Sequence, residues 1–388
     1  MTDLPVRALS LTHVFPRSDD DPSAAFLGTW ARALRAAGHD VRVIAPHDRG
    51  LSEVDVVQGT PVRRVRYADG AHELLAYRGE MHRLALRPPF GPPLLGAFVT
   101  EMAAAVRRAV RRWRPDVLHV HWWIPGAVIT RIARVDLPVV VHLHGTDVAV
   151  VENRPWLAGL ANWALAGADR VEVVSTSLAD RCQDALGLRA DGLNPMPLDL
   201  ASLIAVPAQV SLDRPLILGV GRLVAEKGFA DMVMAAAGLG RPVRLRIIGE
   251  GPQLQALQAL ATARGVDLEL PGAIAPAQLP GEYAKADLVV QPSHGEGFGL
   301  VAAEAVLLGR PVVATDSGGA RDLLDRAALV RPGDVGTLRA RIVQALDDPD
   351  LGRVHRAGRR VRTLLSPEAA VRRTEQGWQA AMQSYAQR

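Results

Sequence analysis

Cysteine is almost missing from this 388-residue chain, where Cys182 stands alone. A single thiol excludes an internal disulfide framework and a multi-cysteine metal site, and Cys182 reads as a packing residue on a helix face. Lysine is nearly as scarce, with only Lys227 and Lys285, so the isoelectric point near 9.7 is an arginine effect and the formal net charge is just +4. No RNA-binding or zinc-finger pattern accompanies that charge, which argues against a nucleic-acid partner. No apolar run reaches the roughly 18 residues of a membrane-spanning helix, and the first residues carry no basic-then-apolar signal. A soluble, cytoplasmic protein is expected. Repeats of solenoid length are also lacking.

What is present is a regular alternation. Hydrophobic residues make up 48% of the chain, and at roughly 150 residues per domain the length suggests two domains, each able to bury a core. "VRALSLTHVFP" reads as a strand, a helix follows with Ser23 as its cap and Gly38 at its end, and "DVRVIAP" is the next strand. Further strands fall at "DVLHVHW", "PVVVHLHG" and "RVEVVS", separated by helical patterns. Between 193 and 215 the pattern breaks into a proline-rich stretch, the expected linker. Alternation restarts with "PLILGVG", "VRLRIIG", "LELPG", "ADLVVQP" and "PVVATD", and a helix from Ser366, with proline in its first turn, closes the chain. The fold class is α/β: two doubly wound parallel sheets.

In such sheets ligands bind beyond the carboxyl ends of the strands, so the residues that follow a strand and open a helix carry the information. Four second-half turns qualify: "GVGRLVAEKG", "GEGP", "SHGEGFG" and "DSGG". Their shared position predicts one cleft. The first turn presents Gly221, Arg222 and Lys227. Glu296 and Glu304 are eight positions apart, and on one helix they would diverge by roughly 80°. Glycines 295, 297 and 299 instead place Glu296 in a loop and Glu304 in the early turns of a helix starting near Gly299. That helix start offers unpaired N–H groups and the positive end of a macrodipole. Cations and a helix start suit a diphosphate, while carboxylates suit hydroxyls, so a nucleoside diphosphate sugar satisfies the set. Taken singly, each element has a plainer reading: Arg222 and Lys227 as solvated charges at a helix start, Glu304 as a partner for an arginine on a helix face. Four coincident turns outweigh them.

"GVGRLVAEKG", "GEGP" and "PSHGEGFGLVAAEAVLLGRPVVATDSGG" together resemble the signature of GT-B retaining glycosyltransferases, family four. The resemblance spans nearly the whole chain and is most specific over residues 216–322. It implies two Rossmann-like domains closing over a sugar nucleotide. The first would comprise residues 1–199 and bind the acceptor, with the terminal helix 366–388 crossing back to it, and the second residues 200–365. It further implies that Arg222 and Lys227 hold the diphosphate, that Glu304 takes ribose hydroxyls and Glu296 sugar hydroxyls, and that the amides of Phe298, Gly299, Leu300 and Val301 meet phosphate or sugar. Ile274 matches a position that touches the base through its backbone. His144, in "VVVHLHGTD", matches a family histidine near the reacting centre. No metal or other cofactor is implied, and uridine is favoured over guanosine.

Several first-half residues keep two readings open. His142 and His144 lie at strand spacing, so one of them is expected to be buried. His121 is a candidate on the acceptor side or a core histidine, and Trp122 and Trp123 are core or a sugar-stacking face. The loop "FPRSDDDPSAAFLG" replaces the paired-glycine loop of many relatives, and its Asp19, Asp20 and Asp21 read as a flexible acidic segment rather than a metal site. The arginines 107, 108, 111 and 112 fall at helical spacing, read here as a solvated face in preference to a contact with an anionic membrane. The acceptor is open: a glycan, a lipid-linked sugar or a small natural product. The alternatives to transfer are epimerisation or coupling of the sugar nucleotide in the same cleft, and a catalytically silent binding protein.

Overall fold

The computed structural model describes residues 4–21, 23–77, 81–85, 87–200, 203 and 214–388. Most of the expected linker, 201–202 and 204–213, lies outside the described residues. The chain forms two compact units: Met1–Val174 with Leu178–Pro197 and Pro367–Arg388, and Ser175–Ser177 with Leu198–Ser366.

Among the described residues, the first unit is built on eight strands: β1 (Arg7–Leu11), β2 (Asp40–Pro46), β3 (Val54–Val57), β4 (Thr60–Val65), β5 (Val117–His121), β6 (Val139–Leu143), β7 (Arg170–Val173) and β8 (Gly192–Leu193). Their order is β3-β4-β2-β1-β5-β6-β7-β8, parallel throughout except for the antiparallel β3/β4 pair. Every residue of β5 and β6 is buried, as expected of central parallel strands covered on both faces. Their register sets His121 opposite His142, so the histidines of both strands project from one face of the sheet.

That face meets the helices Ala25–Ala36 and Pro367–Ala386. The second begins at the proline the sequence indicates, and it inserts Trp378 fully into the core of this unit. Trp30 of the first helix, also buried, donates its indole N–H to Thr374 Oγ1 at 3.0 Å. Ser23 does not cap the Ala25 helix: Ala24 occupies the N-cap in a left-handed conformation, and the Ser23 N–H is taken by Asp21 Oδ1 at 3.1 Å. The helix ends as expected, with Gly38 N–H on Arg35 O at 3.0 Å. Cys182 is buried on the helix Thr176–Leu186.

The four arginines 107, 108, 111 and 112 are exposed on the helix Gly91–Trp113. Arg107 also donates to Ala133 O at 2.8 Å and to Ile132 O, capping the helix Val128–Ala133. Among the described residues, no helix is long and apolar enough to cross a membrane.

Among the described residues, the second unit has six parallel strands: β9 (Leu216–Val220), β10 (Arg244–Ile248), β11 (Asp267–Gly272), β12 (Leu288–Gln291), β13 (Val312–Thr315) and β14 (Leu329–Val330). Their order is β11-β10-β9-β12-β13-β14. Ile217, Leu245, Ile247, Leu288 and Val290 form its core with Phe229, Met232, Leu338 and Ile342 from flanking helices. Strand order reverses between β9 and β12, which is where a doubly wound sheet opens a crevice at its carboxyl edge. The turns after those two strands are "GVGRLVAEKG" and "SHGEGFG".

Candidate active site

At this switch point the four turns interlock. Gly221 N–H bonds Ile248 O at 2.9 Å and Leu223 N–H bonds Glu250 O at 2.8 Å, tying the first turn to "GEGP". His294 N–H reaches Glu226 O at 2.8 Å, tying it to the turn after β12. Gly228 completes that junction: at φ +64°, a Cβ here would stand 2.1 Å from Pro292 O, so only glycine lets the two turns close. From the far side, Gly319 N–H bonds Phe298 O at 2.6 Å, which joins "DSGG" to the same constellation.

This scaffold brings Lys227 and Glu296 together directly. Lys227 Nζ donates to Glu296 Oε1 at 2.5 Å, and Ser293 Oγ donates to the same oxygen at 2.8 Å. The two side chains are 23% and 11% exposed, a partly sheltered pair that screening by solvent weakens less than a surface pair. Lys227 has three N–H donors, so one bond to Glu296 leaves donors for an anion. Arg222 is exposed in the same turn, and among the described residues its guanidinium has no hydrogen-bond or ion-pair partner. Phe298 is buried beneath the loop.

Gly299, at φ +88°, forms the N-cap of the helix Leu300–Leu307. Gln291 Oε1 takes the Ala302 N–H at 3.1 Å. The amides of Leu300 and Val301 belong to the first turn, where a helix has no internal acceptors to offer. Glu304 projects from this helix onto Tyr283, whose hydroxyl donates to Glu304 Oε2 at 2.7 Å. Burial pushes the Glu304 carboxyl up to about 7, with the Tyr283 bond acting in the opposite direction. Burial, and then the neighbouring carboxylate, hold the Tyr283 phenol well above its usual range. Ile274 is half-buried in the turn after β11, whose Gly272 O accepts from Gly249 N–H at 2.9 Å.

The first unit holds a separate set. His144 follows β6 and precedes the helix Thr146–Asn153, and it is half-buried whereas His142 is fully buried. Asp147 fixes the His144 loop by accepting from the N–H groups of His144 (3.3 Å), Gly145 (2.8 Å) and Val148 (3.1 Å). Burial pushes the Asp147 carboxyl up to about 6 despite those bonds. Trp122 and Trp123 are both buried and belong to the core: Trp122 packs on the His144 ring at 4.3 Å between centroids, and Trp123 donates its indole N–H to Asp147 O at 2.8 Å. His121 is likewise fully buried and meets His144, its Nδ1 lying 3.1 Å from His144 Nε2. A surface role as an acceptor contact is therefore not what its position offers.

One further expectation needs correction. The acidic loop after β1 is anchored rather than flexible: Asp21 pairs with Arg17 at 2.7 Å, and Asp19 Oδ1 accepts the Gln58 N–H at 2.7 Å. Burial alone would raise the Asp21 carboxyl, but the Arg17 guanidinium and nearby amides hold it at about 2. Its charge is thus spent on holding the loop. A metal-like spacing lies elsewhere, in His119, His121 and His142, each offering a ring nitrogen within 4.8 Å of the others. The Trp378 contact opposes a metal at His119. Its indole N–H donates to His119 Nδ1 at 3.0 Å, which places the proton of neutral His119 on Nε2, the nitrogen a metal would need bare.

Comparisons with known proteins identify the family. Residues 206–363 match the family described as Glycosyl transferases group 1, and residues 24–194 match Glycosyltransferase Family 4. A D-inositol 3-phosphate glycosyltransferase from Xylanimonas cellulosilytica is 30% identical over 75% of this chain and 75% of its own length. The chain belongs to the group 1 glycosyltransferases. A glycogen synthase from Mycobacterium tuberculosis is 29% identical over 82% of this glycosyltransferase and 80% of its own length. Among solved structures, sucrose-phosphate synthase from Thermosynechococcus elongatus superposes with a TM-score of 0.79, covering 98% of this chain and 100% of that one at 20% identity. HepE from Anabaena, in complex with UDP and glucose, gives 0.72 over 96% and 98% at 20% identity. Both show the fold, GT-B.

Sequence reasoning missed Tyr283, Ser293, Gln291 and Trp378. Ser293 had a local signal, since Ser-x-x-Glu spacing brings a hydroxyl to a carboxylate three residues on. Tyr283 had none: its bond to Glu304 joins two helices that only the folded sheet brings together.

Proposed function

We propose that this glycosyltransferase moves a sugar from a nucleoside diphosphate sugar to an acceptor hydroxyl with retention at the anomeric carbon, without a metal, and with uridine preferred over guanosine as the base. The observation that carries the reading is the pairing of Lys227 with Glu296 beside Arg222, whose guanidinium has no partner among the described residues, at the switch point of the second sheet. Cations there face the diphosphate. Glu304, set by Tyr283, accepts from ribose hydroxyls, and Glu296, set by Lys227 and Ser293, accepts from hydroxyls of the transferred sugar. Gly221, Ile274 and the amides from Phe298 to Val301 complete the donor contacts, and His144 serves the transferred sugar. A solved neighbour that carries UDP supports the base preference.

As the bond from the anomeric carbon to the phosphate oxygen breaks, negative charge grows on the leaving diphosphate. Arg222, Lys227 and the helix start at Gly299 stabilise that charge more than they stabilise the ground state. The acceptor oxygen bonds the anomeric carbon from the same face, and its proton passes to the departing phosphate oxygen. Glu296 orients the sugar and forms no covalent intermediate.

A thermal-shift screen against UDP-, GDP- and ADP-sugars tests the donor assignment. A ligand at a hundredfold its Kd stabilises the folded protein by about 2.7 kcal/mol. No shift with any sugar nucleotide refutes the reading, and a larger shift with GDP-sugars refutes the base. Mass analysis then separates transfer, which adds mass to an acceptor, from epimerisation and from silent binding. Retention is read from the anomeric coupling in the product.

A further inference from the structure

Four histidines, His119, His121, His142 and His144, line one face of β5 and β6 and the turn beyond, and only the last is part of the proposed site. His142 stacks on His144 with centroids 4.7 Å apart, and Trp30 stands edge-on to His121 at 5.0 Å. Trp30 offers these rings no proton, because its N–H is held by Thr374. The indole N–H of Trp378 is the one that reaches the group, at His119 Nδ1. Indole N–H can only donate, so His119 carries its own proton on Nε2, which is buried and has no partner among the described residues.

The His119 and His121 rings lie 4.8 Å apart, and His121 Nε2 is likewise buried without a partner among the described residues. Burial drives His121 and His144 well below the usual histidine range, so both rings are neutral and exactly one of the two facing nitrogens, His121 Nδ1 or His144 Nε2, carries a hydrogen. If it were on His144, the proton of His121 would sit on Nε2, and its unsatisfied buried N–H would be added to those of His119 and His142, whose ring nitrogens likewise lack partners among the described residues. Orphaned buried N–H groups are the rarer and costlier defect. If it is on His121 Nδ1, His121 Nε2 keeps a lone pair, and one of those donors disappears.

We propose that His121 is the positioning residue of the glycosyltransferase reaction: its Nδ1–H donates to His144 Nε2 and thereby fixes His144 as the tautomer that carries its proton on Nδ1. His144 then offers a fixed N–H to an oxygen of the transferred sugar, and with Nε2 already occupied it is not a general base. The tautomer assignment stands on the geometry alone, while its consequence for turnover rests on the donor reading above.

Histidine-selective long-range 1H–15N spectra of the full chain read the tautomer without any substrate. The expected result is a protonated Nδ1 and a bare Nε2 on His144, and the opposite pattern overturns the proposal. His121→Asn keeps an amide N–H where Nδ1 stood, and is expected to preserve the His144 pattern and most of the turnover. His121→Phe fills the space without a donor. It is expected to give mixed His144 tautomers and to lower kcat for donor hydrolysis by about tenfold or more, with the donor KM within about twofold, as befits a misassigned tautomer. An unchanged His144 spectrum in His121→Phe refutes the role. Should that variant not fold, the wild-type and His121→Asn spectra still decide. Donor hydrolysis missing from the wild type would instead sink the donor reading and leave the tautomer result standing.

Discussion

Replacing Glu304 by glutamine is expected to strengthen the fold and weaken donor binding, each in its own pH window. The Glu304 carboxyl titrates at about 7 in the folded chain against a reference of 4.5, because burial disfavours its charge more than the Tyr283 hydroxyl supports it. As pH rises, the unfolded chain loses this proton first, so the folded state is penalised progressively from about 4.5 to about 7, and fully above that. A shift of that size corresponds to a ceiling of about 3 kcal/mol. Glutamine keeps the shape and an oxygen for Tyr283 but never ionises. Its gain should be absent near pH 4.5 and complete above pH 7. The assay is thermal or urea unfolding at pH 5 and pH 8, followed by titration with the best sugar nucleotide from the screen. For the wild type, donor affinity should rise as pH passes through 7, because only the carboxylate accepts two ribose hydroxyls well. A glutamine variant that is less stable than the wild type at pH 8, or one that binds donor as tightly, refutes the reasoning.

Arg222→Ala is expected to lower kcat/KM by about a hundredfold or more, as the loss of one preorganised donor to developing charge does, and unchanged steady-state kinetics would exclude the role. Gly228→Ala forces both a positive φ and a Cβ 2.1 Å from Pro292 O; a loss of about 2 kcal/mol or more is expected by calorimetry, with donor binding impaired because the Lys227 turn must shift. Acidification should destabilise the first unit through its buried histidines. Burial holds His142 at about 3 and His13 at about 4, so below the unfolded value of 6.5 the unfolded chain gains protons first. Near-UV circular dichroism from pH 7 to pH 4 should show tryptophan signals of this unit lost on the way down, and a flat profile would contradict the assignment.

The architecture was legible because parallel strands announce themselves. β5, β6, β9, β12 and β13 are short apolar runs, each bounded by a turn signal, and no other element type fits that spacing. The antiparallel β3 and β4 and the two-residue β8 and β14 were not placed: β3, β8 and β14 are short edge strands that carry weak patterns, and β4, though paired on both sides, has its apolar run broken by Arg63 and Arg64. The glycine-rich turns of the second unit were legible because glycines and charges sit next to one another in the chain. What holds those charges was less so. Glu304 is oriented from Tyr283 and His119 from Trp378, across 21 and 259 positions, and no local pattern encodes such a pairing. His121 was ambiguous for a related reason: alternation puts it on a face, but the depth of that face depends on the helices laid over it.

The helix bearing Trp378 belongs to the unit that the first 174 residues begin. During synthesis a ribosome therefore makes the entire second unit before it releases the piece that finishes the first. The nascent N-terminal half must wait, with the floor of its histidine cluster uncovered, while its neighbour is free to fold. Premature termination anywhere before residue 378 should accordingly yield a product whose damage is felt most at the opposite end of the polypeptide, a pattern that limited proteolysis of truncated chains would reveal.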